Sequence, residues 1–233
     1  MVAILVVLTI IAFVAADFIL QRIRARRLAA APVSGDTAPA ELLLPALQAE
    51  RFALPGGIFF HRSHTWANLL FSGQVKVGVD DFLQKLLGRV DGCTLPPVGA
   101  EVKEGQPFAV LRQAGRSLTL LAPVDGVVCA VNQELGKAPI LLKRDPYTRG
   151  WLVAIQPRDL TANLPRLAVG EKALTWLRSE LSRVREFLAE ALEVHRDALV
   201  GATAADGGLF ADGLLERVDD ETWAAFEARF FRG

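Results

Sequence analysis

Three segments decide the fold: Gln74-Val75-Lys76-Val77-Gly78-Val79, Phe108-Ala109-Val110-Leu111 and Gly126-Val127-Val128-Cys129-Ala130-Val131. Each is short and apolar or alternating, and is broken off by Gly or Pro, which is how a strand with a buried face reads. Turn residues separate them at Pro96-Pro97-Val98-Gly99, Lys103-Glu104-Gly105, Val124-Asp125-Gly126 and Asp145-Pro146-Tyr147. Glycine supplies positive φ in such turns and proline fixes φ, so the spacing predicts a small closed all-β unit over residues 58–157. One helix interrupts it, from Asp80 to Leu87: Asp80 caps the first turn, and Phe82, Leu83, Leu86 and Leu87 face the core.

Around this unit the composition is that of a chain able to build a sizeable core, with 233 residues, 52% of them hydrophobic and 22% charged. Acidic and basic residues are equal in number, so no basic excess exists to neutralise phosphates and no nucleic-acid partner is expected. The two cysteines, Cys93 and Cys129, form no CxxC pair, which argues against a disulfide framework or a cysteine-rich zinc site.

Upstream, Val2 to Leu20 is almost unbroken apolar sequence. As a helix it reaches across the roughly 30 Å hydrocarbon layer, so residues 1–21 are expected to be a transmembrane helix. Arg22, Arg24, Arg26 and Arg27 follow it and no basic side chain precedes it. The positive-inside bias then puts the amino terminus outside and the main domain in the cytoplasm, on the inner membrane of a bacterium. A cleaved signal peptide would carry its charge before the apolar run. Asp17, near the cytoplasmic end of the run, snorkels to the headgroups or meets a neighbouring helix. Residues 22–57 read as a basic juxtamembrane stretch and a linker rich in Ala, Pro, Ser and Gly, with a leucine patch at Leu42, Leu43, Leu44 and Leu47.

Within the β unit, the blocks Phe60-His61-Arg62-Ser63-His64-Thr65-Trp66, Val77-Gly78-Val79-Asp80-Asp81-Phe82 and Leu95-Pro96-Pro97-Val98-Gly99 come in an order that resembles the glycine cleavage system H protein family. Ala122-Pro123-Val124-Asp125-Gly126, Asp145-Pro146-Tyr147 and Gly150-Trp151-Leu152 agree with it. The resemblance spans about a hundred residues and implies a mainly β barrel-sandwich hybrid, the fold of lipoyl carrier domains. It also implies a lysine at the tip of an exposed hairpin, acylated by lipoate. Counting back from Pro123 puts that position at Gly115, and the acidic residue usual three positions earlier is Arg112. Arg116 cannot replace the lysine, because a guanidinium stays protonated and is a poor nucleophile. No lysine lies between Lys103 and Lys137. No cofactor is therefore expected: the lipoyl position is occupied by Gly115, which can instead close a two-residue bend. Arg112 and Arg116 are either a solvated tip or contacts to an acidic partner.

Other chemistry is thin. His61 and His64, with Cys93, suggest a metal, but a surface turn in which His64 and Trp66 serve packing is the stronger expectation, and no metal site is assigned. No phosphate loop, nucleophile triad or carboxylate pair stands out, so the chain is not expected to be an enzyme.

Residues 158–200 carry an amphipathic helix, Val169 to Ala198, with an apolar stripe at Leu174, Leu177, Leu181, Val184, Leu188 and Ala191. It packs on its own β domain or on another subunit. Residues 201–233 read as a loop and an aromatic helix opening at Asp219 or Asp220, with Trp223, Phe226 and Phe230 expected to present an interaction face. The fold class expected is thus the β domain between an N-terminal transmembrane helix and C-terminal α-helices.

The function these features suit is a non-catalytic, membrane-anchored accessory subunit or adaptor. The degenerate lipoyl domain would serve as a protein-interaction module, with other subunits of a membrane complex as partners. The assembly itself is not named by the sequence; the pattern of a single-span accessory subunit suggests an energy-transducing complex, respiratory or photosynthetic. The alternative is a carrier using Lys137 or Lys143, or a partner of a glycine-cleavage or lipoate-handling enzyme. An export-system fusion adaptor fails on topology, since its lipoyl-like domain lies outside the cytoplasm.

Overall fold

A computed structural model describes residues 52–194 and 212–231. The expected span, the four arginines, Asp17 and most of the linker lie outside the described residues, as does the end of the amphipathic helix. Among the described residues no helix is long and apolar enough to cross a membrane.

In chain order the elements are β1 (Phe59–Phe60), β2 (Thr65–Leu69), β3 (Val75–Val79), α1 (Asp81–Leu87), β4 (Gly92–Thr94), β5 (Glu101–Val102), β6 (Pro107–Gln113), β7 (Arg116–Leu121), β8 (Gly126–Val131), α2 (Leu141–Arg144), β9 (Trp151–Pro157), α3 (Leu160–Asn163), α4 (Glu171–Val194) and α5 (Asp220–Phe231). Two antiparallel sheets form, one ordered β1-β2-β3-β9-β8-β5 and the other β4-β6-β7. Val75, Val77 and Val79 of β3 alternate inward, as do Leu118 and Leu120 of β7. Together with Phe108, Leu111, Val128, Val153 and Ile155 they belong to one buried cluster, so the sheets share a core. Trp66 lies opposite Gly78 across the β2–β3 ladder. A Cβ on Gly78 would come within 2.4 Å of the indole, so glycine here makes room for a ring that donates to Val79 O at 3.1 Å.

Helix α1 follows the sequence closely. The Asp80 carboxylate accepts from the Leu83 amide at 2.8 Å, and Phe82, Leu83, Leu86 and Leu87 are buried. The domain starts earlier than the strand pattern suggests. Phe52 is buried edge-on against Phe82 at 5.1 Å, and the Ala53 amide donates to Asp81 at 2.9 Å.

The helices beyond β9 complete the same core. On α4 the buried face is Ala173, Leu177, Glu180, Leu181, Val184 and Phe187, while Leu174, Leu188 and Ala191 are half-buried. The expected stripe thus faces the core, widened by Ala173 and Phe187, and what the pattern did not show is that Glu180 is buried within that face. Helix α5 corrects the sequence reading more strongly. Trp223, Phe226 and Phe230 are buried, with Phe226 stacked on Phe230 at 4.7 Å and Phe187 edge-on to Phe230 at 5.9 Å. They form no exposed interaction face, because the aromatic surface of α5 is satisfied by α4 and the β domain of the same chain.

Candidate functional site: the carrier hairpin and its cover

The β6–β7 hairpin closes with Gln113 opposite Arg116, leaving Ala114 and Gly115 as its two corner residues. Their φ values, 48° and 83°, are both left-handed, the geometry of a type I′ turn matched to strand twist. The bend expected of Gly115 is present. The Asp91 carboxylate accepts from the Ala114 amide at 2.7 Å, and buried Gln113 donates to Leu87 O. Gly115 is exposed, and a Cβ there would meet nothing within 4 Å.

Beside this open tip, Arg116 is not solvated as a free end. Its Nε donates to the Asp220 carboxylate at 2.7 Å and its Nη1 to Leu215 O at 3.3 Å, while the guanidinium lies 5.4 Å from the centre of the Trp223 ring. The sequence expectation of a solvated tip or a partner contact is corrected for this residue, since the acidic group it meets is intramolecular. Arg112, opposite Gly92 on β6, is exposed. Between hairpin and helix lies a shallow groove of about 390 Å³ lined by Ala114, Gly115, Ser117, Asp220, Trp223 and Glu227.

The histidines sit elsewhere. His61 and His64 close a turn in which the His64 amide donates to His61 O at 3.0 Å, but both side chains are 1% exposed, so the turn is surface only at Arg62 while His64 and Trp66 pack in the interior. His61 shares a hydrogen bond of 2.6 Å with Ser63 Oγ and one of 3.1 Å with Glu104, which also pairs with Arg166. Burial pushes the His61 pKa down, against the nearby Glu104 carboxylate. A serine, histidine and glutamate in series is the order of a nucleophile relay, and no spacing in the sequence announced it. Ser63 is only 3% exposed, however, so no substrate reaches it and the string serves to tie the bend after β1 to the loop after β5. His64, at φ 60°, meets Asp80 at 2.9 Å and lies 3.9 Å from Glu180, with Phe82, Trp176 and Phe231 around its ring. This cluster explains why Glu180 is buried. Among the described residues no group of three or more His, Cys, Asp or Glu could hold a metal ion.

Sheets, hairpin and helix α1 together define a sheet-rich carrier-type domain. The family model for the glycine cleavage H-protein matches residues 58–180, more than half of the chain, and the chain belongs to that family. The "Probable glycine cleavage system H protein" of Pyrococcus abyssi is 34% identical over 133 residues, covering 57% of this chain and 98% of that protein. The glycine cleavage system H protein of Anaeromyxobacter sp. is 40% identical over 106 residues, covering 46% and 82%. A crystal structure of the H protein from Mycobacterium marinum is similar at 26% identity and a TM-score of 0.46, covering 51% of this chain and 94% of that one. The family is one of carriers rather than catalysts.

Proposed function

We propose that this chain is a non-catalytic, membrane-tethered member of the H-protein family that uses its domain as a protein-interaction module in place of lipoate carriage. The observation that carries this reading is Gly115 at the corner of the type I′ turn, where the family resemblance puts the acylated lysine. Arg116 beside it is held by Asp220 and Trp223, which fixes the tip against its own chain. A tip without an amine and tied down on one side suits a rigid body better than a swinging arm. The apolar run Val2 to Leu20 and the arginines behind it support a single span in a bacterial inner membrane, with the domain on the cytoplasmic side and other subunits of a membrane complex as partners. Exposed Arg112 remains a candidate contact.

Protein isolated from native cells should show an intact mass without a lipoyl increment, and purification in mild detergent should bring large membrane subunits with it. A lipoyl increment overturns the reading. Family membership itself favours a second one, carriage on another lysine. Lys137 is exposed and Lys143 pairs with Asp212 at 2.8 Å, both on the segment between β8 and β9. Peptide mapping of any lipoyl group to either would establish it.

A further inference from the structure

We infer that the tip of the β2–β3 hairpin is a lipid-contacting element that dips into the bilayer surface; this rests on the tethered reading above. The turn Leu70-Phe71-Ser72-Gly73 is closed by Leu70 N to Gln74 O at 2.8 Å and Gly73 N to Leu70 O at 2.9 Å, with Gly73 at φ 79°. Phe71 sits at its corner with its side chain wholly in solvent, and neighbouring Leu69 is 45% exposed. No Asp, Glu, Lys or Arg occurs from Ser63 to Val75, so the tip carries no charge to desolvate. The first charged residue behind it is Lys76, whose ammonium lies 5.2 Å from the centre of the Trp151 ring, a pairing suited to the headgroup level.

The shape selects the occupant. A stable protein interface needs roughly 800 Å² from each partner, and one convex turn with two apolar side chains cannot supply it. A bilayer needs no complementary groove, and binding there scales simply with apolar area inserted. The chain also carries its own means of confinement. From Arg27 to Phe52 there are 24 intervening residues, at most about 85 Å of chain, so a span at Val2 to Leu20 keeps the tip within reach of the surface.

The test uses the full chain with Cys93 and Cys129 replaced by serine, Ser72→Cys labelled with a nitrobenzoxadiazole fluorophore, and reconstitution into phosphatidylcholine vesicles. The emission should shift to the blue and be quenched by lipids brominated on the acyl chain, and 0.5 M salt should not reverse this. Phe71→Ser in the same background should lower the equilibrium constant for the inserted tip, taken as the ratio of quenched to unquenched emission, by roughly tenfold or more, the effect of removing one buried aromatic side chain. Water-like emission from protein that resists alkaline extraction overturns the inference and leaves the tether standing. If alkali extracts the protein, the tether reading fails: quenching on vesicles before extraction still supports the lipid contact, and its absence overturns both. Quenching unchanged by Phe71→Ser overturns the inference as well.

Discussion

At Gly115 the constraint is on the backbone, not on space. A side chain there has room but must accept φ 83°, so Gly115→Lys is expected to fold with a loss of roughly 1–2 kcal/mol, read from denaturant midpoints. A loss above about 4 kcal/mol would mean that the tip is less open than its geometry implies. Gly78 is the reverse case, tolerant in backbone and intolerant in volume. Gly78→Ala drives a methyl group into the Trp66 indole and should cost about 1–3 kcal/mol, whereas alanine at an open, ordinary site costs little.

His61 gives stability a pH dependence whose sign follows from burial. The folded pKa lies below its ordinary value of 6.5, so as pH falls through that value the unfolded chain takes up a proton that the native state does not. The contribution is complete above about pH 6.5 and declines in acid. Denaturant midpoints should fall between pH 7.5 and pH 5.5, and His61→Gln should flatten that interval; an unchanged slope would assign it to other groups.

Among the elements, α5 carries the clearest expectation. Phe226 is buried among Phe187, Phe230 and Phe231, so Phe226→Ala should cost about 3–5 kcal/mol. Deleting residues from Asp219 onward should abolish or broaden the single melting transition. Arg116→Ala should cost far less, about 1 kcal/mol or under, because its partner Asp220 is largely in solvent. If the deletion melts as sharply and as high as the intact chain, α5 does not belong to the core. This is also where sequence reading failed. An aromatic stripe at helical spacing looks the same whether it meets its own domain or a partner, since periodicity records that a face is covered and not by what. Strands β3, β6 and β8 and the capped helix α1 were legible because alternation and capping are local. Strands β1, β4 and β5, two or three residues long, are defined only by their partners and left no trace. Of the site, the bend at Gly115 was visible from its neighbours in sequence. The hold on Arg116 was not, for it comes from Asp220, 104 residues away.

Among the described residues, strands of both sheets and the helices α1, α4 and α5 share one main core, beside a smaller cluster of Ile58, Phe60, Trp66, Ala168 and Ala173. Phe82 of α1, Leu118 of β7, Leu181 of α4 and Phe226 of α5 fall in the same buried cluster. Heat or denaturant should therefore unfold the region in one step, with tryptophan fluorescence and far-UV circular dichroism giving coincident curves. Two separated transitions would show that α4 and α5 detach independently. The same continuity bears on synthesis. Strand β7 ends at Leu121, yet the buried cluster it belongs to includes side chains as late as Phe231. At usual translation speeds those 110 further residues take roughly 5–20 s to make. For that interval a nascent chain exposes unfinished apolar surface at the ribosome, and a stop codon before Asp219 would leave it so for good. A chain so truncated is expected to be cleared by cellular proteases faster than the intact one, because its core stays open to them.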